Sequence, residues 1–182
     1  MGTFKQTSHE QVFQDSQLTV FHDGFTFPDG THGARTVAVR PRAVAAVALN
    51  AHQEVALLHQ WRAPLQGYLY ELPAGKLDHD NEDPLVGMAR ELAEEAQLKA
   101  DQYTKLTTLD MSAGWSNEVI TIYMATGLHP APIPEQFVLE AEEADMTLQW
   151  VPLNDALAMV TDGRITDAKT VVGLLLADRH LH

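Results

Sequence analysis

Cysteine is absent from the 182-residue chain, which excludes a disulfide framework and thiol catalysis and suits a reducing cytoplasm, the expected location. Basic residues are scarce: 12 Lys and Arg stand against 25 Asp and Glu, a formal net charge of −13. Nucleic acid is thereby excluded as a bulk partner, because phosphate-backbone binding needs a basic footprint. The same balance is hostile to a phosphorylated small molecule unless a bound divalent cation inverts the local field. No apolar run is long enough to span a bilayer. The start, MGTFKQTSHEQVFQDS, has no basic stretch leading into an apolar one, and Gln6 stands where a myristoylation signal needs Ser or Thr. No membrane partner is expected. What is present is ordinary globular composition, 45% hydrophobic and 20% charged, at a length that fits one domain with a sizeable core.

Residues 1–40 read as an N-terminal strand or hairpin element, and residues 41–182 as the main domain. Met1 to Gln17 has no clear period and is expected to be mobile or strand-like. Leu18 to Phe27 is rich in β-branched and aromatic residues around Asp23-Gly24, which predicts a hairpin turning there. Pro28-Asp29-Gly30 predicts a second turn. Strands are expected at Thr36–Val39, at Ala43–Leu49 (a continuous apolar run suited to burial on both faces), at Glu54–Gln60 and at Tyr68–Leu72, together as a β-meander. Further strands are expected at Tyr103–Met111, Glu118–Thr126 and Met146–Val151, with proline-rich His129–Pro134 as a connection. Asn154 is a candidate N-cap for a helix over Asp155–Val160, Gly163 its terminator, and Asp167 the cap of a last helix from Ala168 to about Arg179. Strands flanked by helices on two faces predict an α/β (α+β) fold, an α/β/α sandwich around a mixed sheet.

The most informative stretch is Gly75 to Leu98. Pro84 suits a first helical turn, Glu82 and Asp83 precede it as a helix N-terminus prefers, and little interrupts the helix up to Ala96. Leu85, Met88, Ala89, Leu92 and Ala96 make the apolar stripe. Glu91, Glu94 and Glu95 stand at i, i+3 and i+4, so three carboxylates crowd one patch. Such a cluster costs a bare helix a few tenths of a kcal/mol per pair, roughly, and a divalent cation would reverse that sign. Hard oxygen donors suit magnesium or manganese. On an arbitrary helix the cluster is more often a solvated acidic face; here the pattern from Gly75 through Glu82 to Arg90-Glu91-Leu92-Ala93-Glu94-Glu95 is too long to arise by chance.

That pattern resembles the box of the Nudix hydrolases. Glu82, Arg90, Glu91, Leu92, Glu94, Glu95 and Leu98 match it. Six residues separate Gly75 from Glu82, one more than the consensus, and Gln97 replaces the second glycine. Gln60-Trp61-Arg62, Glu71-Leu72-Pro73-Ala74-Gly75, Gly114-Trp115-Ser116-Asn117-Glu118, the acidic run Glu140 to Met146 and the tail Gly163 to Thr170 are similar to the ADP-ribose pyrophosphatase branch. Ala113 departs from the proline usual in that branch.

The resemblance implies a magnesium-dependent (or manganese-dependent) hydrolase of a nucleoside diphosphate derivative, with ADP-ribose the leading substrate and a nucleotide sugar or dinucleotide the alternative. A nucleotide-binding module without catalysis is the further alternative. It implies Glu91 and Glu95 as leading metal ligands, helped by Glu94 and the Ala74 carbonyl, with Arg90 tying Glu82 and the loop to the helix behind Gly75. Glu142 or Glu143 would supply the general base. Arg62 would approach the diphosphate or terminal ribose, Glu71 and Glu118 would hold polar groups of the substrate, and Arg35, Arg40 or Arg42 could assist. Phe25 or Phe27 would stack on adenine. A homodimer exchanging N-terminal strands is the assembly that the branch implies.

Overall fold

The computed structural model describes residues 2–77, 82–132 and 145–182. The chain divides into two compact units, one of Met1–Arg42 with Leu109–Val119 and one of Ala43–Thr108 with Ile120–His182.

In the first unit β1 (Lys5–Gln14), β2 (Thr19–Thr26) and β3 (His32–Val39) form an antiparallel sheet in sequence order. Every residue of β1 is exposed, so no face selected an apolar alternation; this is why the sequence there lacks a period. The predicted turn at Asp23-Gly24 is corrected. Strand β2 runs straight through both residues, with Asp23 opposite His9 and Gly24 opposite Ser8. A Cβ on Gly24 would lie 2.6 Å from Ser8 Oγ, so the glycine admits a close strand approach at a register shift. The chain turns instead at Asp15, whose Oδ1 accepts from the amides of Gln17 and Leu18 at 2.7 and 2.8 Å. The second turn falls where expected, the Phe27 amide donating to the Thr31 carbonyl at 2.8 Å.

In the second unit β4 (Ala43–Ala48), β5 (Glu54–Arg62), β6 (Gly67–Glu71), β7 (Ala74–Lys76), α1 (Pro84–Ala96), β8 (Leu98–Asp110), β9 (Val119–Pro130), β10 (Thr147–Pro152), α2 (Leu153–Thr161) and α3 (Ala168–Leu181) follow in order, with the ends of β8 and β9 reaching into the segment Leu109–Val119 of the first. One sheet has the order β7-β4-β9-β8, the other β10-β5-β6. Strand β4 pairs antiparallel with β7 and parallel with β9, so the sheet is mixed, as predicted. The expected meander is corrected: β4 and β5 lie in different sheets, and one isolated bridge, Leu49 to Val55, joins β5 to the residue just past the end of β4. The run Ala74–Lys76, read as loop, is a short strand. His129–Pro130, read as connection, ends β9; proline is tolerated there because the ladder needs no further donor at a strand end.

The apolar stripe of α1 decides where the helix sits. Met88, Leu92 and Ala96 pack with Val44, Ala46 and Ala48 on one face of β4, and burying each large side chain contributes about 1.5–3 kcal/mol. On the other face Gly173 of α3 lies against Val47, Ile122 and Leu72. This is the sandwich the sequence predicts. Asp83 caps α1 by accepting from the Leu85 amide at 2.8 Å, and Asp167 caps α3 through the Thr170 amide at 3.0 Å. Asn154 is not a cap: α2 begins at Leu153, whose amide is satisfied by the Gln53 carbonyl at 2.9 Å, and no side chain caps it.

Candidate active site

The segment from the end of β6 to the end of β7 is fastened at nearly every residue. The Leu72 amide donates to Thr170 Oγ1 at 2.9 Å, and the Pro73 carbonyl accepts from the Ala46 amide at 2.9 Å. The Ala74 amide donates to Glu95 Oε2 at 2.7 Å. Over Gly75 lies the carboxylate of Glu91, so close that a Cβ there would stand 1.9 Å from Glu91 Cδ. Only glycine fits. The Lys76 carbonyl accepts from Arg90 Nη2 at 2.9 Å. Helix α1 and this segment are thus joined by the very carboxylates and arginine that the sequence singles out.

Arg90 draws the acids together. Its Nη1 donates to Glu91 Oε1 at 2.7 Å and to Glu94 Oε2 at 3.0 Å, and its Nη2 reaches Glu82 Oε2 at 3.5 Å. Burial works against its charge, but the charge and hydrogen bond of Glu91, with Glu82 and Glu94, outweigh burial and hold the guanidinium above its usual range. Three carboxylates, Glu82, Glu91 and Glu94, therefore surround one cation, and a fourth, Glu95, holds the Ala74 amide. Glu91 is buried. Hard carboxylate oxygens over a backbone that lacks a Cβ match the donor chemistry of a divalent cation. Among the described residues no three acidic or histidine side chains already converge as a ligand set; Arg90 and the Ala74 amide take the carboxylate oxygens in this arrangement.

Beside it lies a second cluster. Arg62, at the end of β5, donates through Nε and Nη2 to the two oxygens of Glu71 at 2.6 and 2.8 Å. Glu71, almost wholly buried, also accepts from Lys169 Nζ. Lys169 Nζ lies 3.1 Å from Asp167 Oδ2, and the same oxygen accepts from Thr170 Oγ1 at 2.6 Å. Burial pushes the Glu71 carboxyl up, but the Arg62 hydrogen bonds and the Lys169 charge prevail and hold it below the usual carboxylate range. The hydrogen bond to Glu71 raises Arg62 correspondingly. Arg62 and Glu71, both predicted as substrate contacts, are thus each other's partners. The sequence reading missed Lys169 and Thr170; their signal was the position just inside the cap Asp167.

The remaining predicted residues lie in the first unit or outside the described residues. Arg35 places its guanidinium 5.4 Å from the Phe27 ring centroid, a cation–π contact, and Phe4 meets the same ring edge-on at 6.2 Å. Phe25 lies within β2, opposite Gly33. Arg40 Nε lies 3.2 Å from Glu118 Oε1, and Arg42 is exposed. Glu142 and Glu143 lie outside the described residues. Asp145, which follows that stretch, accepts from the Tyr68 hydroxyl.

Comparison with known proteins agrees with this architecture. The family model for the NUDIX domain matches residues 39–172. The ADP-ribose pyrophosphatase of Mycobacterium tuberculosis is 35% identical over 172 residues, covering 94% of this chain and 82% of its own. The GDP-mannose pyrophosphatase of Yersinia pestis is 36% identical over 133 residues, covering 69% of this chain and 65% of its own. A crystal structure described as an ADP compounds hydrolase superposes with a TM-score of 0.86 at 22% identity, covering 100% of this chain and 95% of that one, a likeness of fold. With that match, the Gly75-to-Glu95 geometry and the sandwich around β4 in hand, the chain belongs to the Nudix hydrolase superfamily.

Proposed function

We propose that the chain is a magnesium-dependent pyrophosphatase that hydrolyses ADP-ribose to AMP and ribose 5-phosphate. The observation that carries this reading is the similarity, over nearly the whole chain, to a relative named as an ADP-ribose pyrophosphatase. The acid cluster on α1 supports it, because pyrophosphate cleavage is mostly positioning and charge neutralisation.

Glu91 and Glu95, helped by Glu94 and the Ala74 carbonyl, would hold magnesium, or manganese in its place. A divalent cation supplies charge neutralisation on the diphosphate and a more acidic attacking water. Arg90 holds Glu91 and Glu94 in place and links them to Glu82 and to the Lys76 carbonyl. Arg62 meets the diphosphate, for which a planar guanidinium is suited. Glu142 or Glu143 accepts the proton of the attacking water, since carboxylates engaged with a cation are poor bases. Phe27 with Arg35 forms a face for adenine, and Glu118 contacts a polar group of the substrate. The N-terminal sheet, with β1 exposed throughout, serves a homodimer in the cytoplasm.

A second reading, a nucleotide sugar as substrate, is favoured by the similarity to a GDP-mannose pyrophosphatase and by Ala113 where the branch carries proline. One assay separates the two: purified protein with magnesium, given ADP-ribose beside nucleotide sugars, dinucleotides and nucleoside triphosphates, with Glu95→Gln run alongside. Gln keeps an acceptor for the Ala74 amide and removes only charge. AMP released chiefly from ADP-ribose, and lost by about 10³-fold in the variant, is expected for removal of several kcal/mol of metal-borne stabilisation. Cleavage of GDP-mannose in preference moves the substrate; no cleavage of any compound with either magnesium or manganese ends the enzyme reading.

A further inference from the structure

Lys169 has no part in the reading above, yet among the described residues it is the only buried lysine. Two penalties fall on it. Burying an ammonium costs several kcal/mol in round numbers unless it is paired, and it stands in the first turn of α3, the positive end of the helix. Glu71 and Asp167 offset both. With Arg62 the cluster holds, among the described residues, two paired carboxylates and two cations, which balance. Both oxygens of Glu71 receive Arg62, whose side chain remains 38% exposed.

We propose that Lys169 is a positioning residue that neutralises the Glu71–Asp167 pair, so that Arg62, oriented by Glu71, keeps its charge available for a diphosphate. The proposal rests on the reading of Arg62 as the phosphate-facing residue. Without Lys169 the cluster carries one excess negative charge beside the guanidinium, and an incoming anion meets repulsion instead of attraction.

The test uses magnesium-loaded protein, ADP-ribose turnover and calorimetric binding of ADP. Lys169→Met raises KM and weakens ADP binding about tenfold, the order expected for one uncompensated charge roughly 12 Å away at an effective dielectric of about 20, while kcat changes by less than about threefold. Lys169→Arg, which keeps the charge, stays near the wild type. Adding Asp167→Asn to Lys169→Met restores neutrality and keeps the helix cap; ADP affinity then returns toward the wild-type value. Asp167→Asn alone leaves a positive excess and tightens ADP, which decides the matter if Lys169→Met does not fold. Wild-type ADP affinity in Lys169→Met, or a double variant weaker than the single one, overturns the proposal. A wild type that binds ADP but cleaves nothing refutes the proposed activity and leaves the ADP affinities to judge Lys169; one that does not bind ADP overturns both.

Discussion

Arg90 and Arg62 occupy clusters of opposite balance within one unit. Around Arg90, one guanidinium faces Glu82, Glu91 and Glu94 at 3.5 Å or closer, with Glu95 next along the helix. Around Arg62, two cations and two carboxylates cancel. Among the described residues the first arrangement holds surplus negative charge in a partly buried place, which a folded chain keeps at a cost in stability. The second satisfies itself and costs far less. On the proposed function the contrast gives them different partners: a cation would complete the first, while the second would lend an oriented guanidinium to an anion. Burial alone does not distinguish them, since Glu91 and Glu71 are both buried; the count of opposing charges does.

The largest way to disturb the acid cluster without changing its charge is Gly75→Ala. Its Cβ would overlap the Glu91 carboxylate, forcing that side chain away. We expect kcat/KM to fall by about 10²-fold and stability by about 1–3 kcal/mol, as for overpacking, measured by turnover and urea denaturation. Wild-type kcat/KM in this variant would show that the seat of Glu91 over Gly75 is not needed.

The neutral cluster predicts a smaller, pH-dependent effect. The Glu71 carboxyl is held below its ordinary value in the folded protein, so the folded state binds fewer protons than the unfolded one as pH falls. Its contribution to stability is complete above the unfolded carboxylate pKa and is lost as pH falls through the lower folded value. Glu71→Gln should therefore show a shallower loss of stability on the acid side in denaturant titrations across that window. An unchanged acid limb would refute the linkage.

The smallest effect belongs to the end of α1. Gln97 stands at φ 55°, ψ 39°, a left-handed position that disfavours side chains. Gln97→Gly should stabilise the protein by about 1 kcal/mol and leave kcat/KM unchanged, because it touches neither cluster. A stability decrease would mean that the Gln97 side chain makes a contribution its backbone strain conceals.

The sequence made the acid cluster legible because its parts lie within one helix and the short stretch of chain before it. Spacing of Glu91, Glu94 and Glu95 fixes a shared helix face, Asp83 and Pro84 mark its start, and the observed helix has the predicted ends, Pro84–Ala96. The neutral cluster was only half legible. Arg62 and Glu71 were visible on adjoining strands, but Lys169 lies 98 residues from Glu71 in the chain, and a single lysine after a helix cap carries no periodic signal. The misplaced turn has a related cause. Asp23-Gly24 has turn composition, yet tertiary approach of Ser8 and the His9–Asp23 pairing at 2.7 Å used both residues inside a strand. Local chemistry was readable wherever one element contained it; where distant elements shared a charge or a close contact, the pattern was silent.

The most direct test of the contrast is Mn2+ binding followed by electron paramagnetic resonance on the wild type, Glu95→Gln and Glu71→Gln. Saturable binding to the wild type, weakened at least about tenfold in Glu95→Gln and nearly unchanged in Glu71→Gln, is the predicted result. Equal affinity in the wild type and Glu95→Gln, or a loss confined to Glu71→Gln, would contradict the assignment of the cation to the Arg90 cluster.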